Sequence, residues 1–330
     1  MEKPIFKAMV VTQTSDNQFE RPITEKSIDD LPAGDVLVHV RYSSLNYKDA
    51  LSASGNKGVT RNYPHTPGID AAGIVADSQT DAFKPGDQVI VTSYDLGMNT
   101  DGGFGEYIRV PAEWVVRLPD NLTLKESMIY GTAGLTAGLS VYKLTHTLAP
   151  DRGDILVTGA SGGVGSMAVS MLVQSGYEVV GVSSKIEEKE FLEGLGVKEI
   201  ISRQAAANSS GRPMLMERWA GVIDTVGGDI LATAIRSTKL NGNITCCGNV
   251  ASPDLPLTVF PFILRGVSLY GIDSQHCPMS TRVKIWKKLA REWKLKNLDA
   301  LASEITLNDL DKKIDLMLAG KTKGRTVVKI

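Results

Sequence analysis

Asp154 to Gly165 reads DILVTGASGGVG. The apolar run Ile155-Leu156-Val157 passes at once into small residues and glycines. A helical pattern follows in which Val164, Ala168, Met171, Leu172 and Ser175 share one face. Gly176 stands where a C-cap glycine belongs. The segment is predicted as strand, tight turn and helix. Gly162 and Gly165 fill the second and third glycine positions of the dinucleotide fingerprint, and Ala160 replaces the first. The second position must lack a side chain so that a pyrophosphate can approach the backbone, and the third lets helix and strand pack closely. The helix start then offers free N–H groups to phosphate. Ser161, Gly162, Gly163, Val164 and Gly165 are the candidate contacts.

Outward from this turn the chain alternates strand and helix. Strands are predicted at Tyr177–Val182, Lys198–Ser202, Ala220–Val226, Asn243–Cys247 and Val267–Gly271. Helices are expected at Ile186–Leu195, closed by Gly196, and from a cap at Asp229 to about Leu240. Such alternation indicates a doubly wound parallel sheet. Its ligands bind outside the carboxyl ends of the strands, which makes Gly159, Ser183, Arg203, Gly227, Gly248 and Ser274 candidate cofactor contacts. Before Leu124 the rhythm is different. Val36, Val38 and Val40 alternate with Leu37, His39 and Arg41 as in a half-buried strand, and Pro85-Gly86-Asp87 is a turn feeding the strand Gln88–Val91. Gly102–Gly105 leads into a strand ending at Pro111. Short strands with such turns suggest a barrel-like sheet. A helical stretch with small residues runs from Lys125 to Leu144. After Asp273 a basic helix, Thr281–Lys294, and another near Leu307–Leu318 precede a terminal strand, Arg325–Ile330. No partner for that strand is evident in the last sixty residues, so it is expected to pair with the N-terminal β domain.

The chain has 330 residues, enough for two domains, with 42% hydrophobic and 22% charged residues and a formal net charge of −1. This balance gives no reason to expect nucleic acid or an anionic membrane as a partner. The start, MEKPIFKAMVV, is too short and too interrupted for a signal peptide, and no apolar run could span a bilayer, so a cytoplasmic protein is expected. Cys246, Cys247 and Cys277 form no C-x-x-C pair and are expected to be buried thiols.

With NYKDAL (Asn46–Leu51), PGIDAAG (Pro67–Gly73), GGFGEYIRVP (Gly102–Pro111), GTAGLTA (Gly131–Ala137) and TGASGGVG (Thr158–Gly165), the whole chain resembles the medium-chain dehydrogenase/reductases. Within them it is similar to the zinc-free quinone oxidoreductase and acrylyl-CoA reductase branch. The resemblance implies a GroES-like catalytic domain (1–123 and 273–330) around a Rossmann cofactor domain (124–272). Zinc-dependent relatives place a His-Glu pair where this chain has Gly68-Ile69-Asp70. Their first zinc cysteine falls near Asn46 here, and their four-cysteine loop is missing. His65, without a cysteine or second histidine nearby, is not expected to bind metal. No metal is expected.

The place after the second strand reads Ser183-Ser184-Lys185. A carboxylate there would hold the ribose 2′-OH of NAD, whereas hydroxyls and a cation suit a 2′-phosphate, so NADPH is expected. Glu187 and Glu188 are expected to face solvent. The resemblance further implies adenine-side contacts from Arg203, and nicotinamide-side contacts from Tyr47, Asn249, Ile263, Ser274 and Lys321 or Arg325. Tyr47 can donate a proton or hydrogen bond and Asn46 can orient a carbonyl, while a turn residue and a packed aromatic are the plainer readings. Asp49 is expected to cap the helical turn that follows. The leading reading is an NADPH-dependent reductase of a quinone, an enone or an enoyl thioester, working as a homodimer through its sixth cofactor-domain strand. A non-catalytic NADPH-binding protein on the same fold is the other.

Overall fold

The computed structural model describes residues 5–183 and 188–330. Its chain divides into two compact units. One comprises Met1–Thr132, Gln275–Arg291 and Lys296–Ile330, the other Ala133–Ser274 and Glu292–Leu295.

In the second unit, six strands among the described residues form one sheet. Their order is Glu199–Ile201, Val179–Val182, Ile155–Val157, Trp219–Asp224, Thr238–Cys246, Ser268–Gly271. Every neighbouring pair is parallel. Numbered along the chain this is 3-2-1-4-5-6, the Rossmann order, in which the first and fourth strands adjoin where the winding reverses. Leu156, Val180, Val222, Ile244, Leu231 and Ile235 lie in its core. The helix Gly163–Gln174 buries Met167, Ala168, Val169, Met171 and Leu172. Ser175, expected on that face, is exposed because the helix has ended and Ser175 is its C-cap. The helix Gly228–Arg236 is entered through Gly227, whose φ of 72° makes it the cap. Asp229, expected there, lies in the first turn instead. Beyond the second strand the described helix is Lys189–Gly194.

The first unit is built on a seven-stranded sheet. Its path runs Ala302–Thr306, Arg325–Lys329, Val36–Leu45, Asp70–Ser78, Gln88–Thr92, Val115–Arg117, and Tyr107–Val110 pairs with Val36–Leu45 off that path. Val36, Val38 and Val40 are buried against Val75, Val89, Val91 and Ile108. This is the GroES-like domain. The terminal strand pairs antiparallel with Val36–Leu45, as expected, and also parallel with Ala302–Thr306, a partner the sequence did not reveal. The basic helix is shorter than expected, Met279–Leu289, and Leu307–Leu318 is helical as expected. No described helix is long and apolar enough to cross a membrane.

Candidate active site

The first turn after Ile155–Val157 has the shape the fingerprint requires. Gly159 has φ 58°, and Gly162 caps the helix with no side chain of its own. A Cβ on Gly165 would lie 2.1 Å from the Gly159 carbonyl oxygen, so only glycine lets the helix start against the turn. Ser161, Gly163 and Val164 are half-buried and Gly162 is exposed, leaving the helix N-terminus open. This cradle fits a pyrophosphate, through backbone N–H groups and the positive helix end.

At the end of the second strand Ser183 donates to the Glu188 carboxylate at 2.8 Å. Glu188, expected in solvent, is buried, and the serine hydroxyl is one donor to its carboxylate. Ser184, Lys185 and Glu187 lie outside the described residues. Arg203, Asn249 and Lys321 are exposed, and Ile263 projects from the helix Phe260–Arg265 with most of its side chain in solvent. Ser274 accepts from the Thr136 hydroxyl at 2.8 Å.

In the GroES-like unit Tyr47 opens the helix Tyr47–Ala53 and its ring is nearly half exposed. A buried polar cluster holds that helix start. Asp49, three residues after the cap Asn46, accepts from the Asn46 backbone N–H through Oδ2 and from the Ile69 N–H through Oδ1, both at 2.8 Å. The cap is Asn46, and Asp49, expected to cap the turn after it, closes a capping box from within the first turn. Asp70 Oδ2 accepts from the Asn46 amide at 2.7 Å and from the Ser44 hydroxyl at 2.6 Å. Its Oδ1 takes the Thr132 hydroxyl at 2.6 Å. Arg325 comes from the terminal strand. It donates to Asn46 Oδ1 at 3.1 Å, Ser44 Oγ at 2.9 Å and the Ile129 carbonyl at 3.0 Å, with Asp70 Oδ2 3.8 Å away. Gly131 closes the cluster. Its φ of 51° breaks the helical stretch Leu124–Thr145, and a Cβ there would fall 2.4 Å from Asp70 Oδ2, so the position requires glycine.

Two expectations change here. Both ends of the Asn46 amide are committed within the domain, so the side chain is not presented to a substrate carbonyl. The guanidinium of Arg325 is buried in the same cluster, where the resemblance implied a nicotinamide-side contact. Sequence reading passed over Asp70, although a lone carboxylate in the apolar run Ile69–Val75 was the available signal. Burial, and then the charge of Asp70, push the Asp49 carboxyl up to about 7. Burial lowers the pKa of the His65 imidazole. Burial pushes the Cys247 thiol up to about 12, which removes it as a nucleophile. Cys246 and Cys247 are half-buried and only Cys277 is buried.

The family models agree with this architecture. The alcohol dehydrogenase GroES-like domain matches residues 32–120 and the zinc-binding dehydrogenase model matches 163–291. The chain belongs to the medium-chain dehydrogenase/reductase superfamily and is an oxidoreductase. The acrylyl-CoA reductase AcuI of Ruegeria pomeroyi is 40% identical over 99% of both chains. YhfP of Bacillus subtilis, named for quinone oxidoreductase activity, is 43% identical over 92% of this chain and 93% of its own. The structure of YhfP with NAD bound matches with a TM-score of 0.96 at 41% identity, covering 99% of this chain and 100% of that one. The yhdH oxidoreductase of Salmonella enterica, crystallised with NADP, is 41% identical with a TM-score of 0.95, covering 98% of this chain and 99% of that one.

The residues near Asn46 do not fit the zinc that the second family model's description suggests. Zinc takes converging thiolate, imidazole or carboxylate ligands. Here the amide of Asn46 and the guanidinium of Arg325 fill the space beside Asp70, and a cation already compensates that carboxylate. Among the described residues no three His, Cys, Asp or Glu side chains are grouped to hold a metal ion.

Proposed function

We propose that this protein is a zinc-independent, NADPH-dependent reductase of conjugated carbonyl compounds, either an enoyl thioester of the acrylyl-CoA kind or a quinone. The observation that carries the reading is the anchored Tyr47. Its phenol stands exposed at a helix start fixed by Asp49, Asn46, Asp70 and Arg325. Bound NADPH supplies hydride to the electrophilic β-carbon, or to the quinone.

Reduction then places negative charge on the substrate's carbonyl oxygen. The Tyr47 hydroxyl stabilises that oxygen by donating a hydrogen bond, and a proton completes the product at the α-carbon or the hydroquinone oxygen. Substrates whose own carbonyl delocalises the charge do not need a Lewis acid, in keeping with the cluster's chemistry. Asn46 acts through Tyr47, as the anchored residue immediately before it. In this reading the turn Ser161–Gly165 holds the pyrophosphate. Ser183 and Arg203, with Ser184 and Lys185 next to Ser183 in sequence, are assigned to the adenosine side, and Asn249, Ile263, Ser274 and Lys321 to the nicotinamide side. The buried Glu188 makes the preference for NADPH over NADH smaller than hydroxyls and a lysine alone would set.

The protein also acts as a homodimer on this reading. Ser268–Gly271 ends its sheet with one side unpaired among the described residues. Leu240, Val259, Ile263 and Leu264 in the same unit carry large exposed apolar surface, which soluble monomers rarely leave open beside a strand edge.

Steady-state NADPH oxidation by chelator-treated protein, with acrylyl-CoA and a set of quinones, tests the function. Turnover with at least one acceptor is expected. Tight NADPH binding with no turnover on any of them would make the chain a nucleotide-binding protein instead.

A further inference from the structure

The carboxyl end of the fourth strand of the Rossmann sheet carries a buried acid, Asp224, which neither the fingerprint nor the family resemblance singled out. Its side chain is fully inaccessible, and among the described residues no cation pairs with it. A buried carboxylate without a counter-ion is costly unless its oxygens are fully used. Here they are used to tie strand ends together.

Asp224 Oδ1 accepts from the Thr158 hydroxyl at 2.8 Å, and Oδ2 accepts from the Gly227 N–H at 2.8 Å. Thr158 is the residue just before the Gly159 turn, and it too is fully buried. Its hydroxyl in turn accepts from the Thr225 N–H at 2.9 Å, and its carbonyl accepts from the Thr225 hydroxyl at 2.9 Å. The carbonyl of Asp224 takes the Cys247 N–H at 3.0 Å, which brings in the end of the fifth strand.

The packing leaves no slack. A Cβ on Gly159 would meet Thr225 Oγ1 at 2.3 Å, and one on Gly248 would meet the Thr225 carbonyl oxygen at 2.1 Å. The backbone leaving the first, fourth and fifth strands is therefore interlocked around one carboxylate. Burial raises the carboxyl's pKa, and the hydrogen bonds it accepts oppose that rise.

We infer that Asp224 is a positioning residue for cofactor binding, holding the Thr158–Gly159 turn in register with the loops at Gly227 and Gly248. It touches no reacting atom. Its effect belongs to the binding of the nucleotide, because the donors it fixes are the backbone on either side of the phosphate cradle. The inference rests on the NADPH reading of the turn Gly159–Gly165.

Asp224→Asn keeps the shape but replaces one acceptor oxygen by a donor, so either Thr158 or Gly227 loses its partner. Thr158→Val removes the hydroxyl at nearly constant volume. The experiment is fluorescence titration of each variant and of the wild type with NADPH, alongside a thermal melt and steady-state kinetics. Each variant is expected to weaken NADPH binding roughly tenfold, the loss of about one charge-assisted hydrogen bond. The NADPH KM should rise by the same factor, with kcat at saturating NADPH within about twofold of wild type. The double variant should be weaker by less than the product of the two single effects, since the side chains share the Thr158–Asp224 contact. Where Asp224→Asn does not fold, Thr158→Val decides the matter alone.

Variants that bind NADPH as the wild type does, whether or not Tm falls, would assign Asp224 to fold stability and overturn the inference. So would a fall in kcat with unchanged binding. A wild type that does not bind NADPH overturns the nucleotide reading along with it, whereas equal binding by wild type and variants overturns the brace alone.

Discussion

Arg325→Met is the sharpest perturbation of the polar cluster behind Tyr47. Methionine keeps much of the stem and removes the guanidinium. Three good hydrogen bonds go with it, to Ile129 O, Asn46 Oδ1 and Ser44 Oγ, together with the only cation near Asp70 among the described residues. Arg325 is 4% exposed and Asp70 0%, so water does not replace what is lost. Removing one partner of a buried pair costs about 3–5 kcal/mol, against the 0–1 kcal/mol of an exposed pair. That is a large part of the roughly 5–15 kcal/mol that holds a domain folded.

The pH dependence follows in sign. The cluster loses its compensating cation, so the folded-state pKa of Asp49 rises further. Asp49 starts from about 7. A carboxyl whose folded pKa lies above its unfolded value contributes stability that is complete below the unfolded value and is lost as pH rises through the folded one. The deficit of the variant against wild type should therefore be smaller at pH 6 than at pH 8. Urea unfolding followed by tryptophan fluorescence at the two pH values reads both quantities. A loss under about 1 kcal/mol at pH 8, or a deficit that grows toward pH 6, would refute this account of the cluster.

Tyr47→Phe should lower kcat by the equivalent of about 1–3 kcal/mol while leaving NADPH affinity unchanged, since it removes one hydroxyl and keeps the ring; unchanged kcat on a good acceptor would return Tyr47 to a packing role. Replacing Ser184 by Asp and Lys185 by Ala should shrink the ratio of kcat/KM for NADPH over NADH about tenfold or more through repulsion of the 2′-phosphate and loss of a charge-assisted contact, and an unaltered ratio would move the phosphate site elsewhere. Light scattering at micromolar concentration should give twice the chain's mass, and a mass of one chain would contradict the proposed pairing through Ser268–Gly271.

Much of this fold is written in short-range patterns. The spacing Ala160-x-Gly162-x-x-Gly165 between an apolar run and a helix marks the first Rossmann turn without help from distant residues, because the constraint is a close backbone contact within seven residues. Val36, Val38 and Val40 declare their strand by alternation, and Asp49 signals a capped turn nearby, although the cap itself is Asn46. What stayed hidden depends on distant partners or on exposure. Ala302–Thr306 is mostly exposed, with no apolar alternation, and becomes a strand only because Arg325–Lys329 offers it a ladder. Arg325 reads as a surface charge on a terminal strand until that strand is laid beside Leu45, where it meets Asp70. Gly131 reads as a small packing residue, yet it is needed for a positive φ and for the missing Cβ that would clash with Asp70. Glu188 sits in the charged run Glu187-Glu188-Lys189-Glu190, so its burial against Ser183 has no local signature.

The most direct test of the proposed reaction is to follow the transferred hydride itself. The protein is supplied with NADPH carrying deuterium at the transferred C4 position, with acrylyl-CoA, and the product is read by mass spectrometry and proton NMR. Direct hydride delivery predicts propionyl-CoA with one deuterium on the β-carbon and a solvent-derived hydrogen on the α-carbon. If quinones are reduced and acrylyl-CoA is not, the enoyl thioester arm of the proposal is excluded and the quinone arm stands. Product formed without deuterium at the β-carbon, or NADPH bound and never oxidised by acrylyl-CoA or any quinone, would contradict the account.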